Sequence, residues 1–223
     1  MTEQEKREYQ TVILAGLLHD VGKFMQRVKG VKKRHPLLSA EYVDEIKGKI
    51  KQEWVDLDLI RLLCQRHHED TRLPEDILVQ RINNNHNRAL AYLVSRADNY
   101  SSEERSDEEC SWTDFREARL MSIFSKVDIG KGEPTPLYYD LQPLTPKNVF
   151  PKDEKQLNCA YYNYHRLGQE GFVGAIAMLN PANFNALFNG LLSILEEFLW
   201  CVPNDTTIEH SDISLFDHLS TVI

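Results

Sequence analysis

Apolar positions recur at helical spacing along much of this 223-residue chain. From Glu3 to about Asp20, the residues Tyr9, Ile13, Gly16, Leu17 and Asp20 share one face, which predicts a helix with Asp20 on its apolar side. A carboxylate there is costly unless its charge is compensated. The plain alternative is a helix-end Asp bonded to backbone amides. Pro36 disfavours helix at the residue before it and suits a first turn, so His35 is predicted to start a helix through Leu38, Tyr42, Val43 and Ile46. A further helix runs from about Val55 to Gln65, with Leu59, Leu62 and Leu63 inward. It leads into His67-His68-Glu69 and a turn at Leu73-Pro74. From about Asn87 another carries Leu90, Ala91, Val94, Ala97 and Asp98, so a second acid stands on an apolar face.

The periodicity then changes. Ser101 to Asp114 is acidic and polar (Glu103, Glu104, Asp107, Glu108, Glu109) and is expected to be a mobile surface loop. Leu120 to Val149 has no helical period and holds four prolines and two glycines, so a loop-rich segment is expected, with room for a small hairpin around Leu137-Tyr138-Tyr139. Helices resume at about 153–167. A long amphipathic one, about Ala182 to Trp200, turns Phe184, Leu187, Phe188, Leu191, Leu195, Phe198 and Leu199 inward. After Pro203-Asn204-Asp205, a last helix is predicted with Ser211 or Asp212 as its cap. His218 lies there with Leu215 and Val222 at i−3 and i+4, the setting of a core histidine or of a ligand. The chain stops on Val222-Ile223 without a capping signal, which suggests one domain of a longer protein. The fold class expected is mostly α, with three regions: a helical core at 1–110, a loop-rich insertion packed on it at 111–180, and completing helices at 181–223.

Composition narrows the choices. A 42% apolar content supports a real core, and a net charge of −8 excludes a generic basic nucleic-acid binder. A phosphate-bearing partner would need metals or the local basic run Arg27, Lys29, Lys32, Lys33 and Arg34. That run reads equally well as a solvated loop. The four cysteines, Cys64, Cys110, Cys159 and Cys201, form no C-x-x-C pair, and no signal peptide is expected. Reduced thiols, mostly buried, and a cytoplasmic protein are therefore expected, with no apolar run long enough for a membrane span.

The chemistry concentrates around Leu17-Leu18-His19-Asp20-Val21-Gly22-Lys23. Adjacent imidazole and carboxylate groups can face one divalent metal near a helix end. Alone the doublet means little. It gains weight from the set His19, Asp20, His35, His67, His68, Asp98 and His218, with Lys23 beside it. Nitrogen and oxygen donors without thiolate suit Mn, Fe, Co, Ni or Zn. Seven donors exceed one tetrahedral shell, so two ions bridged by Asp20 are expected. They would clamp the attacking and leaving oxygens of a phosphodiester. Lys23, one turn on, could neutralise a non-bridging oxygen. No Gly-rich phosphate loop and no G-x-S-x-G elbow occur.

This pattern resembles the HD superfamily of metal-dependent phosphohydrolases. Their usual order is an isolated His, then His-Asp, further His residues and a final Asp. Here His-Asp comes first and His218, at the far end, takes the isolated-His slot, which implies a circular permutation. More narrowly, the chain resembles the N-terminal HD nuclease domain of the large subunit of type III-A CRISPR (Csm) effector complexes. The text that carries the likeness is LLHDVGKFMQR at 17–27, HPLLSAEY at 35–42, HHE at 67–69, SRADNYSS at 95–102, LMSIFSKVDIGKGEP at 120–134 and DISLFDHLSTVI at 212–223. The resemblance implies a permuted helical HD domain and cleavage of single-stranded DNA with divalent metal, Mn or Ni first and Co, Fe or Zn as alternatives. It also implies Asp20 and Lys23 as catalytic residues and the seven His and Asp residues as metal ligands. The partners implied are the other Csm subunits and guide RNA, reached through the full-length protein. The family's Gly-Gly-Asp-Asp motif, which makes cyclic oligoadenylate, is absent here, and the scattered cysteines support no structural zinc site. His86, His165 and His210 match no ligand slot and are expected to be surface or structural. Two other readings remain: an HD phosphohydrolase of nucleotides or cyclic nucleotides, and a non-catalytic scaffold.

Overall fold

A computed structural model describes residues 1–102, 115–127, 130, 135–157, 159–206 and 211–223. Helix α1, Glu3–Leu18, opens on a capping box: Thr2 Oγ1 accepts from the Glu5 amide at 3.2 Å, and Glu5 Oε2 accepts from the Thr2 amide at 2.7 Å. It ends two residues before the expected Asp20. The chain turns at His19-Asp20 and at once enters α2, Val21–Lys29, a helix the periodicity did not predict. Gly30, at φ 61°, ends α2 with its amide on the Arg27 carbonyl. Helix α3, His35–Ile46, starts at His35 as Pro36 requires.

The α2–α3 contact depends on Gly22. A Cβ at that position would lie 2.0 Å from the His35 carbonyl oxygen, and the Gly22 amide donates to Ser39 Oγ at 2.8 Å. Helix α4, Leu57–Gln65, is capped by Asp56, whose side chain accepts from the Leu59 amide at 3.0 Å. Helix α5 spans Asn85–Ser102. The expected acidic loop from 103 onward, Cys110 and His210 lie outside the described residues.

Strand β1, Leu137–Tyr138, pairs antiparallel with β2, Lys152–Asp153. The small hairpin is present, but its second strand falls where a helix was expected to begin. Helix α6, Ala160–His165, runs through a π-helical stretch, Arg166–Phe172, into α7, Val173–Met178. Helix α8, Phe184–Leu199, is capped by Asn183. The last helix, α9, Leu215–Thr221, is capped by Ser214, neither Ser211 nor Asp212. The reason is tertiary: Asn204 donates to the Ile213 carbonyl and Leu215 to the Val202 carbonyl, which holds 213 extended and delays the helix.

The architecture is mostly α, as expected. Leu14, Leu17 and Leu18 of α1 and Leu187, Leu191 and Leu195 of α8 are buried in one core, each leucine contributing roughly 1.5–3 kcal/mol by burial. Helix α9 packs against α1 and α5, which carries the end of the chain to the α1–α2 turn. Among the described residues no helix is long and apolar enough to cross a membrane.

Candidate metal centre

Asp20 sits at the turn between α1 and α2 and is 1% exposed. Its side chain makes no capping bond to the α2 amides, so the plain helix-end alternative does not describe it. Its two oxygens divide the surrounding imidazoles. Oδ1 lies 3.1 Å from His35 Nε2 and 3.5 Å from His67 Nε2. Oδ2 lies 3.3 Å from His218 Nε2, 3.7 Å from His19 Nε2 and 2.5 Å from Lys23 Nζ. Asp98 Oδ1 faces the second set, 3.2 Å from His218 Nε2 and 3.7 Å from His19 Nε2. His68 Nε2 closes the first set, 3.2 Å from His35 Nε2. Two clusters result, His35, His67 and His68 on one side and His19, Asp20, Asp98 and His218 on the other. Within each, one ligand atom per residue lies within 4.8 Å of the rest.

The backs of the rings are anchored. His19 Nδ1 donates to the Gly16 carbonyl at 2.7 Å and His67 Nδ1 to the Cys64 carbonyl at 2.8 Å. His218 Nδ1 meets Ser101 Oγ at 2.7 Å, and that hydroxyl also bonds the Asp98 carbonyl at 3.2 Å. A proton held on Nδ1 leaves the Nε2 lone pair turned to the centre. There His19, His67 and His218 Nε2 and Asp20 Oδ1 are buried without a hydrogen-bond partner. Orphaned acceptors at this density are costly in a protein interior. Divalent cations at the two clusters would use all of them, so the donor set fits such ions.

Electrostatics agree. Burial pushes the Asp20 carboxyl up, but Lys23, His19, His35 and His218 outweigh it and hold the group well below the usual carboxylate range. Asp98 is likewise raised by burial and brought far down by His19 and His218. Burial lowers His35, and burial with the neighbouring His67 and His35 rings takes His68 to about 3. Both therefore stay neutral, the form that binds metal. Burial also lowers His218, but Asp20 and Asp98 outweigh it and raise the ring above its ordinary value. The two carboxylates that raise His218, at 3.3 and 3.2 Å from its Nε2, are placed to flank a cation as well.

The centre opens on a cavity of about 440 Å³. Its wall includes Lys23, Gln26, Arg27, Asn99, Ser102 and Asn204, and among the described residues holds no Phe, Tyr or Trp. Lys23 Nζ donates to Asn204 Oδ1 at 2.9 Å as well as to Asp20. The basic run does not act as one patch. Lys29 pairs with Glu45 and Lys33 with Glu41 on the surface, whereas Arg27 is 3% exposed and in the cavity wall. His86 is exposed against Glu8, and His165 is exposed on α6. Ser101 and Asn204 escaped the sequence reading. Ser101 had one signal, its place one turn beyond Asp98; Asn204 had none beyond a proline before it.

Residues 1–103 match the HD-domain family model. The chain is 30% identical over 232 residues to the subtype III-A CRISPR system single-strand-specific deoxyribonuclease Cas10/Csm1 of Streptococcus thermophilus, covering 96% of this chain and 26% of the relative. It is 28% identical to the protein of the same description from Methanocaldococcus jannaschii, covering 96% and 27%. The crystal structure of Csm1 in T. onnurineus shares the fold, with a TM-score of 0.57 at 21% identity, over 96% of this chain and 27% of that one. A Csm1–Csm4 cassette in complex with pppApApA gives a TM-score of 0.61 at 19% identity, over 96% and 27%. The chain thus spans about a quarter of the length of the relatives it matches.

Proposed function

We propose, from the HD domain that residues 1–103 carry, that this chain is the nuclease portion of a Cas10/Csm1-type protein and hydrolyses phosphodiester bonds of single-stranded DNA with divalent metal. The observation that carries the reading is the convergence of three buried imidazole nitrogens and one carboxylate oxygen, all without a hydrogen-bond partner, around Asp20. The ligands would be His35, His67 and His68 with Asp20 Oδ1 for one ion, and His19, Asp98 and His218 with Asp20 Oδ2 for a second. Manganese or nickel suits these donors, with cobalt, iron or zinc next. Divalent ions supply Lewis-acid polarisation of a phosphate oxygen and a water acidic enough to attack at neutral pH.

The chain's own residues do the rest. Asp20 joins the two halves of the cage, and the backbone carbonyls of Gly16 and Cys64 keep His19 and His67 in one tautomer. Lys23 uses two donors on Asp20 and Asn204, which leaves a third for a non-bridging phosphate oxygen. Lys23, Gln26, Arg27, Asn99, Ser102 and Asn204 give the cavity wall hydrogen-bonding groups suited to a phosphate backbone. Through the longer protein this domain would work in the cytoplasm with other Csm subunits and guide RNA. The test is manganese-dependent cleavage of oligothymidylate set against hydrolysis of nucleotides and cyclic nucleotides. Cleavage of the polymer supports the reading, and turnover of nucleotides alone removes it.

A further inference from the structure

Arg27 is a buried cation that the metal centre leaves unused. It lies on α2 one turn beyond Lys23, is 3% exposed, and lines the cavity on which the centre opens. Its guanidinium carbon is 5.7 Å from the centroid of the Tyr164 ring, the Tyr164 side chain also hydrogen-bonds the guanidinium, and the Asp205 carboxylate in the same cavity wall lies within electrostatic reach. These neighbours account for part of the side chain. Nη1 is buried and donates to nothing. An idle donor on a buried charge is unfavourable, and the natural way to use it is an anion that enters from the cavity.

The spacing says which anion. Residues four apart on a helix stand on one face, about 6 Å along the axis. Lys23 at one end of that step touches Asp20, and Arg27 at the other faces the same cavity. A polymer with a regular phosphate backbone offers two phosphates to two cations set in this way. A nucleoside monophosphate or a simple diester offers one. With a net charge of −8 on the chain and Asp20 and Asp98 at the site, an incoming backbone also needs local positive charge to approach.

We propose that Arg27 is a phosphate subsite: its Nη1 binds the phosphate next to the scissile one, so that a strand with consecutive phosphates is favoured over a single diester. The proposal rests on the nuclease reading above and adds the basis of its preference for a polymer. It requires no base contact, so the preference is independent of sequence.

The test compares bis(p-nitrophenyl) phosphate, which has one phosphate, with oligothymidylate, both with manganese-loaded protein, for wild type, Arg27→Gln and Arg27→Lys. Arg27→Gln should lose at least tenfold more kcat/KM on oligothymidylate than on the model diester. Its slope of log kcat/KM against log salt should become shallower by about 0.7, the loss of one phosphate contact to a single strand. Arg27→Lys should recover most of that slope. Equal losses on both substrates, or an unchanged salt slope, would make Arg27 a structural residue that only stacks on Tyr164, and would overturn the proposal. Should Arg27→Gln fail to fold, unaltered protein crystallised with a phosphorothioate thymidine oligonucleotide decides. A phosphate within hydrogen-bond distance of Nη1 supports the subsite, and a bound strand with none there overturns it. If wild type hydrolyses the model diester but never oligothymidylate, the nuclease reading itself fails and the subsite goes with it.

Discussion

Ser101 Oγ lies 2.7 Å from His218 Nδ1, joining residues 117 positions apart in the chain. The same hydroxyl bonds the carbonyl of Asp98, so one serine ties the orientation of a ring on α9 to the helix that carries a candidate ligand. Ser101→Ala should therefore leave the helical content unchanged and weaken manganese binding by about 10–100-fold, the usual cost of removing a group that orients a ligating histidine. Isothermal titration with manganese checks this, and undiminished affinity would leave Ser101 without a positioning role.

Lys23 opposes metal uptake and assists turnover, so the two should separate. Its ammonium is 2.5 Å from Asp20 Oδ2, where it competes with a cation. Lys23→Met should bind manganese at least as tightly as wild type and lose about 10²–10³ in kcat, the scale for removal of one group that stabilises developing charge. Parallel metal titration and steady-state kinetics read the split.

Gly22 makes the close approach of α2 to α3. Gly22→Ala would put a methyl 2.0 Å from the His35 carbonyl oxygen and 2.6 Å from the Ser39 amide, both backbone atoms with little freedom to yield. The expected cost is about 1–3 kcal/mol, with His35 displaced from Asp20. Urea denaturation gives the first quantity, and manganese affinity reports the second.

The metal-free protein should lose stability on acidification in two stages. His35 and His68 have folded-state pKa values below the ordinary histidine value, that of His68 at about 3. Their contribution is present above about pH 6.5 and is lost as pH falls from there. Asp20 and Asp98 are held below the ordinary carboxylate value, so theirs is lost below about pH 4. His218, raised by its two carboxylates, works the other way: its contribution is fully present below about pH 6.5 and is lost as pH rises above that value. Urea midpoints of chelator-treated protein should fall throughout between pH 6 and pH 3 and fall faster below pH 4. A midpoint that rises between pH 6 and pH 4 would contradict the account.

The helices α1, α3, α4, α5 and α8 were legible because each is long enough to repeat its apolar face several times. Helix α2 was not: in nine residues, Lys23, Gln26, Arg27 and Lys29 interrupt the apolar set Val21, Phe24, Met25 and Val28. Arg27 was hidden for the same reason, as one member of a basic run whose neighbours are on the surface. The start of α9 was misplaced because a pairing of 202–204 with 213–215, invisible to local pattern, keeps 213 extended. Asp20, Asp98 and His218 drew attention as polar residues on apolar faces. Ser101 did not, since nothing in a serine near a helix end tells which side chain from the far terminus will meet it.

The central claim is that Asp20 and the imidazoles around it form a cage for divalent cations. Anomalous diffraction at the manganese edge, on crystals grown with manganese, tests it most directly. The account predicts two peaks flanking Asp20, one beside His35, His67 and His68 and one beside His19, Asp98 and His218. Crystals that show no peak there, with the Nε2 atoms of His19, His67 and His218 bonded to ordered water, would contradict it.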